Sequence, residues 1–186
     1  QLNADGIAQH LRVSHTPVRD ALNRLEKDGL VVKLPYQGWF VRRFQEQEVR
    51  DVYEIRAGLE CFGLRLACER ITPEEIEWLR AHQASGEEAL AREDWDAYWL
   101  YNQELHAAIV RAARNSELSM IMAQTSRKTQ LLSARTIRML GRPPRAVREH
   151  KQLIELIATH ESAGAQVLME LHILSAMDDI LRHGLT

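Results

Sequence analysis

Hydrophobic positions along the first 45 residues change period once, from helical to strand-like. Ile7, Ala8 and Leu11 form a short i, i+1, i+4 stripe that ends near Arg12. Ser14 then stands where an N-cap belongs, and Pro17 falls in the first turn of the helix that follows, where its missing N–H costs little. That second helix puts Val18, Ala21, Leu22 and Leu25 on one face, leaves His15, Thr16, Arg19, Asn23 and Lys27 mostly on others, and ends at Gly29. Leu30 to Leu34 and Trp39 to Val41, joined by Pro35-Tyr36-Gln37-Gly38, read as a small β-hairpin.

From Glu46 onward only helical periodicity remains. Val49, Val52, Tyr53, Leu59, Leu64 and Ala67 stripe a long helix that ends before Thr72. Thr72-Pro73-Glu74-Glu75 has the form of a capping box with proline at the first helical position, which starts a second. Asp94 is expected to cap a third helix, to about Ala113, and Asn115 a fourth, to about Leu140. Gly141-Arg142-Pro143-Pro144 reads as a break, after which a fifth helix runs to about Thr159 and a sixth from Gly164 to about His183. The predicted fold is therefore mainly α: a helix-turn-helix with a hairpin over 1–44, then an all-α bundle of six to seven helices over 45–186.

Composition narrows the class without changing this picture. A chain of 186 residues that is 45% hydrophobic and 27% charged, with 9 Gly and 5 Pro, is not a disordered, collagen-like or disulfide-scaffold protein. No apolar run approaches the roughly 20 residues of a membrane span, and no signal peptide opens the chain, so the expected location is cytoplasmic, with no membrane partner. Cys61 and Cys68 lie seven residues apart on one helix, about 10 Å along its axis, too far for a disulfide, and read as buried thiols. Charge does add something: the net of −2 divides into +3 over residues 1–44 and −5 over the rest. A basic head on an acidic body suggests that the head alone meets a polyanion.

In a helix-turn-helix the second helix enters the roughly 12 Å wide major groove with its N-terminal residues at base edges. Ser14, His15, Thr16 and Arg19 crowd that end, and all four side chains can hydrogen-bond a base or a phosphate. Ser14-His15-Thr16-Pro17-Val18-Arg19-Asp20-Ala21-Leu22, with Arg24-Leu25, Asp28-Gly29-Leu30 and Gly38, resembles the winged-helix signature of GntR-type transcription regulators. The resemblance implies operator contacts from Ser14, His15, Thr16, Pro17 and Arg19, and a wing tip at Gln37 and Gly38. Two positions depart from it: His15 stands where the family usually has Arg, and Asp5 where Arg is frequent. The chain also starts within the expected winged helix, so the family's first helix is expected to be missing from this sequence.

The bundle holds a second constellation. Asn102 and His106 share a helix face, His150 shares one with Ile154 and Ile157, and His172 one with Leu168 and Ser175. Three histidines on core-facing stripes of three helices either converge on a metal or are separate core histidines. Glu54-Ile55-Arg56-Ala57-Gly58-Leu59-Glu60, Asn102-Gln103-Glu104-Leu105-His106, Asn115-Ser116-Glu117-Leu118, Glu149-His150-Lys151-Gln152-Leu153-Ile154 and His172 resemble the FadR-like effector domain called FCD. Metal-binding members of that group use an Asp and a His four apart, the His of the Glu-His pair and a His 22 residues later. Carried over, this assigns Asn102, His106, His150 and His172 to a divalent transition metal, with Asn102 in the place of the usual Asp. Nitrogen-rich coordination favours Zn or Ni over Mg or Ca.

Arg56 resembles an Arg near the family's ligand cavity, and it equally suits a surface ion pair with Glu60 at i+4. Arg135, Arg138, Arg142, Arg145 and Arg148 around the Pro143-Pro144 break can form an anion site but suit a solvated loop better, Trp78, Trp95, Tyr98, Trp99 and Tyr101 read as helix-junction packing, and His10, His82, His160 and His183 have no evident partner. The function implied is a DNA-binding repressor, a homodimer on an inverted-repeat operator, controlled by a small organic acid at the metal. The alternative from another class is a metal-dependent hydrolase on a helical bundle, since three histidines with an open position also suit water activation.

Overall fold

Asn3 starts the first helix: its side-chain oxygen accepts from the backbone N–H groups of Asp5 and Gly6, and α1 (Ala4–Leu11) runs until Arg12 takes a left-handed backbone. The structure is a computed structural model that describes residues 1–134 and 142–183, in two units, Gln1–Gln45 and Glu46–Thr186. In the first unit α2 (His15–Lys27) follows, with Ser14 at the cap position in an extended backbone but making no side-chain capping bond. Strands β1 (Val31–Leu34) and β2 (Gly38–Val41) pair antiparallel, Val31 opposite Val41 and Leu34 opposite Gly38. Leu2 adds a bridge to Trp39, its N–H donating to the Trp39 carbonyl at 2.7 Å, so the hairpin carries a third short edge that periodicity does not reveal. Ala8, Val18, Leu22, Val31 and Trp39 make the core of this unit. Leu11, at the end of α1, and Ala21, at the edge of the α2 stripe, stay exposed although both lie on the predicted apolar faces.

The second unit is built of α3 (Glu46–Arg70), α4 (Pro73–Ala91), α5 (Trp95–Ala112), α6 (Ser116–Ser133), α7 (Arg142–Ala158) and α8 (Ser162–His183). The capping box at Thr72 and the caps at Asp94 and Asn115 are all formed. Helix α3 packs on α8, α5 and α6, α4 on α5 and α7, and α7 on α8. Leu64, Leu105, Ile109, Leu153, Ile154, Ile157, Met169 and Ile173 are fully buried among them.

The sequence reading of Arg142-Pro143-Pro144 as a break is corrected. These residues open α7, because the first turn of a helix has no intrahelical use for the N–H groups that proline lacks. Arg135, Arg138, Gly141 and the expected end of the fourth helix at Leu140 lie outside the described residues. Cys68 is buried but Cys61 is only half-buried, its thiol donating to the Gln166 carbonyl, and burial pushes its pKa up to about 11. No helix among the described residues is long and apolar enough to cross a membrane.

Candidate functional site

The helical unit brings three histidines from three helices together: His106 from α5, His150 from α7 and His172 from α8. All three are buried, and one ring nitrogen from each lies within 4.8 Å of the other two. His150 Nε2 and His172 Nε2 stand 3.2 Å apart. Each remaining Nδ1 has a partner. His106 Nδ1 meets Glu60 Oε2 on α3 at 2.5 Å, His172 Nδ1 meets Glu149 Oε2 on α7 at 2.6 Å, and His150 Nδ1 meets the Tyr101 hydroxyl on α5 at 3.0 Å.

A carboxylate only accepts, so Glu60 and Glu149 require Nδ1–H on His106 and His172 and leave Nε2 as the free lone pair. Burial, then the neighbouring rings and cations, holds the pKa of both His150 and His172 well below the ordinary histidine value. With the His150 proton on Nδ1 as well, the two neutral imidazoles face each other through bare nitrogens at 3.2 Å and repel in a dry interior. A cation against those nitrogens removes the repulsion. The donor set thus fits a divalent metal of the kind that prefers imidazole.

Glu60, like Glu149 and Tyr101, is a residue that sequence reasoning did not single out as part of the site. Burial raises its pKa, but the Arg56 guanidinium and the hydrogen bonds from Arg56 and His106 outweigh that and hold the carboxyl well below the usual range. Its other oxygen takes the Arg56 Nε–H at 2.5 Å. The i+4 pair of Arg56 and Glu60 is therefore real but buried, with side chains 10% and 2% exposed, so it is not the surface pair that spacing suggested.

Asn102, Arg56, His106, His172 and Arg142 share the walls of one cavity of about 40 Å³, room for an ion and a few water-sized groups. Arg142 does not belong to a solvated loop: it is largely buried, donating to Ser175 Oγ at 2.8 Å and to the His172 carbonyl at 3.2 Å. Arg145 pairs with Asp179, and Arg148 alone of the described members of that arginine run is exposed. Of the histidines without an evident partner, His82 Nε2 reaches the Tyr101 carbonyl and His160 Nδ1 the Cys68 carbonyl. Tyr101 packs at a helix junction as expected and touches the site as well.

This geometry gives a pH dependence of definite sign. Folded His150 and His172 resist protonation, whereas the unfolded chain takes up both protons below about pH 6.5, so stability is full above that value and falls with pH below it. Each histidine contributes at most about 1.4 kcal/mol per pH unit. Chelator-treated chain should unfold at lower urea at pH 5.5 than at pH 7.5, and equal midpoints would show that the pair is not held neutral.

In the N-terminal unit, Ser14, His15, Thr16, Pro17 and Arg19 are all exposed around the start of α2, and Gln37 is exposed at the hairpin turn. His15, Arg19 and Gly38 line one groove together with Lys33. His15 Nδ1 lies 3.0 Å from Asp5 Oδ1, so the two positions that depart from the GntR pattern pair with each other. Lys33, over the Trp39 ring, and fully exposed Tyr36 at the turn are surface groups the sequence reading passed over.

Residues 2–41 match the bacterial regulatory proteins of the gntR family, and residues 51–175 match the FCD domain. Over 181 residues the chain is 30% identical to the Nta operon transcriptional regulator of Aminobacter aminovorans, covering 97% of this chain and 84% of that one. It is 28% identical over 170 residues to the HTH-type transcriptional repressor GlaR of Escherichia coli (strain K12), covering 86% of this chain and 76% of that one. Among solved structures, E. coli McbR/YncC shares the fold with a TM-score of 0.88 at 18% identity, over 97% of this chain and 86% of that one. The metal-free FCD domain of a transcriptional regulator shares it with a TM-score of 0.64 at 22% identity, over 76% and 96%.

Proposed function

The chain belongs to the gntR family of bacterial regulatory proteins and carries an FCD domain, which makes it a DNA-binding transcription regulator and not an enzyme, and from that premise we propose that a metal-bound organic acid controls it. The metal, Zn or Ni, is held by His106, His150 and His172, with the Asn102 side-chain oxygen available as a further donor. The observation that carries this reading is the buried trio whose Nδ1 atoms are all engaged outward while two Nε2 atoms face each other. The ion supplies a Lewis-acidic centre for a carboxylate oxygen. Three neutral imidazoles and an amide leave its charge uncancelled, and Arg142 and Arg56 on the same cavity wall add to the attraction for an anion. Both are partly committed, Arg56 through its Nε to Glu60 and Arg142 to Ser175 Oγ and the His172 carbonyl.

In this reading the cytoplasmic protein acts as a repressor, as its relative GlaR does, and binds an inverted repeat as a homodimer. Ser14, His15, Thr16, Pro17 and Arg19 meet the major groove, and Gln37 and Gly38 form the wing tip. The hydrolase alternative has no support in the family matches.

Asn102→Asp tests the role of the metal. Restoring an anionic oxygen donor should tighten the metal and weaken the acid, the two effects having opposite signs. A unit charge about 4 Å away is worth about 4 kcal/mol at an effective dielectric of about 20, a ceiling of about a thousandfold, so a loss of acid affinity between about tenfold and about a thousandfold is expected. Calorimetric titration of both proteins with zinc, then with a panel of small organic acids, reads both effects. Equal acid affinity in the two proteins would sink the claim that the ion holds the effector.

A further inference from the structure

His150 differs from its two partners in lacking a carboxylate: what meets its Nδ1 is a phenol, which can donate or accept. Left to itself, such a hydroxyl does not decide which ring nitrogen of His150 carries the proton. The groups behind it do. Tyr101 Oη lies 2.5 Å from Gln83 Oε1, and the Gln83 amide cannot be turned over, because its Nε2 faces the Val147 carbonyl at 3.0 Å and a Glu87 carboxylate oxygen at 3.1 Å. Both of these only accept.

We propose that Gln83 and Tyr101 form a one-way hydrogen-bond relay that fixes the proton of His150 on Nδ1 and thereby keeps Nε2 bare for a metal. The direction is set at the far end. Val147 O and Glu87 take the two amide protons of Gln83, so Gln83 presents oxygen to Tyr101. Tyr101 spends its single hydroxyl proton on that oxygen, and its own oxygen can then only accept from His150. Gln83, Tyr101 and His150 are all buried, so no water competes for these positions. Gln83 is on α4, Tyr101 on α5 and His150 on α7, so the relay spans three helices. Both Gln83 and Tyr101 are positioning residues: neither is assigned to the metal. The functional half of the inference rests on the reading that the three histidines hold a metal, whereas the placement of the proton does not.

The test uses the whole chain, zinc ion as the probe, and three variants: Gln83→Leu, Tyr101→Phe and the double variant. In Gln83→Leu the phenol proton is released and can turn to His150 Nδ1, which moves the histidine proton to Nε2. Zinc affinity should then fall by about 10–100-fold, the range usual for loss of an outer partner of a metal ligand. Tyr101→Phe removes the donor as well as the acceptor and should cost less. Adding Tyr101→Phe to Gln83→Leu should therefore recover part of the lost affinity, which a merely structural role for either residue would not produce. Nitrogen-15 NMR of histidine-labelled, zinc-free chain should show His150 protonated at Nδ1 in the native protein and at Nε2 in Gln83→Leu. A native His150 protonated at Nε2, or an unchanged tautomer in Gln83→Leu, overturns the relay. Native chain that shows Nδ1–H but takes up no zinc upholds the relay and overturns the metal reading instead.

Discussion

Replacing His106, His150 or His172 by alanine, one at a time, should, with the metal held as proposed, reduce bound metal from about one equivalent per chain to less than about a tenth, because each change removes a donor that no further residue of the cluster among the described residues replaces. Loss of an outer partner alone typically costs 10–100-fold in metal affinity, and loss of a ligand should exceed about 100-fold. The three rings come from separate helices, so no local rearrangement of one helix supplies a substitute nitrogen. His160→Ala is the matched control: its ring bonds the Cys68 carbonyl and lies outside the trio, so metal content should stay at the native level. Elemental analysis of protein purified with zinc measures this directly. A full equivalent retained in any of the three ligand variants would remove that histidine from the site.

Helical periodicity was enough to place His106, His150 and His172 on inward faces, since a stripe recurring at three and four residues identifies the face a helix buries. It could not show that the rings converge, because convergence depends on how α5, α7 and α8 pack, which one-dimensional spacing does not encode. The outer partners were hidden for the same reason. Glu60 was legible as the i+4 partner of Arg56 and Glu149 as the neighbour of His150, but only the packing of α3 against α5, and of α7 against α8, turns their carboxylates onto His106 and His172. Tyr101 was legible as buried packing, but its hydroxyl has a direction only once Gln83 is in place.

Arg56 and Glu60 show the limit from the other side: their i+4 spacing predicted the pair, and their burial changed its meaning from a solvated contact to a charged brace behind His106. Pro143 and Pro144 misled because proline is a breaker in the interior of a helix and an opener in its first turn, and the two cases share one sequence. His15 and Asp5 looked like two independent departures from the GntR pattern. Their 3.0 Å contact joins them into one exposed pair at the start of α2.

Two glycines in the bundle should respond to alanine with opposite signs. Gly58, on α3, has open space where a Cβ would go, so Gly58→Ala should gain only helix propensity, about 0.5–1 kcal/mol. Gly86, on α4, lets the Tyr101 ring lie against the helix backbone, and a Cβ there would sit 2.5 Å from Cε1 and Cζ and 2.6 Å from Cδ1 of that ring. No flexible end can give way, because the Tyr101 hydroxyl is held at 2.5 Å by Gln83 and at 3.0 Å by His150. Overpacking of this kind costs about 1–3 kcal/mol, and a contact this close to a pinned ring belongs at the upper end. Set against a propensity gain of up to about 1 kcal/mol, Gly86→Ala should destabilise the zinc-free chain by about 2 kcal/mol. It should also lower zinc affinity, since the ring can make room only by withdrawing its hydroxyl from His150. Urea denaturation of both variants at pH 7.5 measures the first effect and zinc titration the second. A Gly86→Ala chain as stable as Gly58→Ala would mean that the Tyr101 ring is not fixed, and that its hydroxyl does not hold His150.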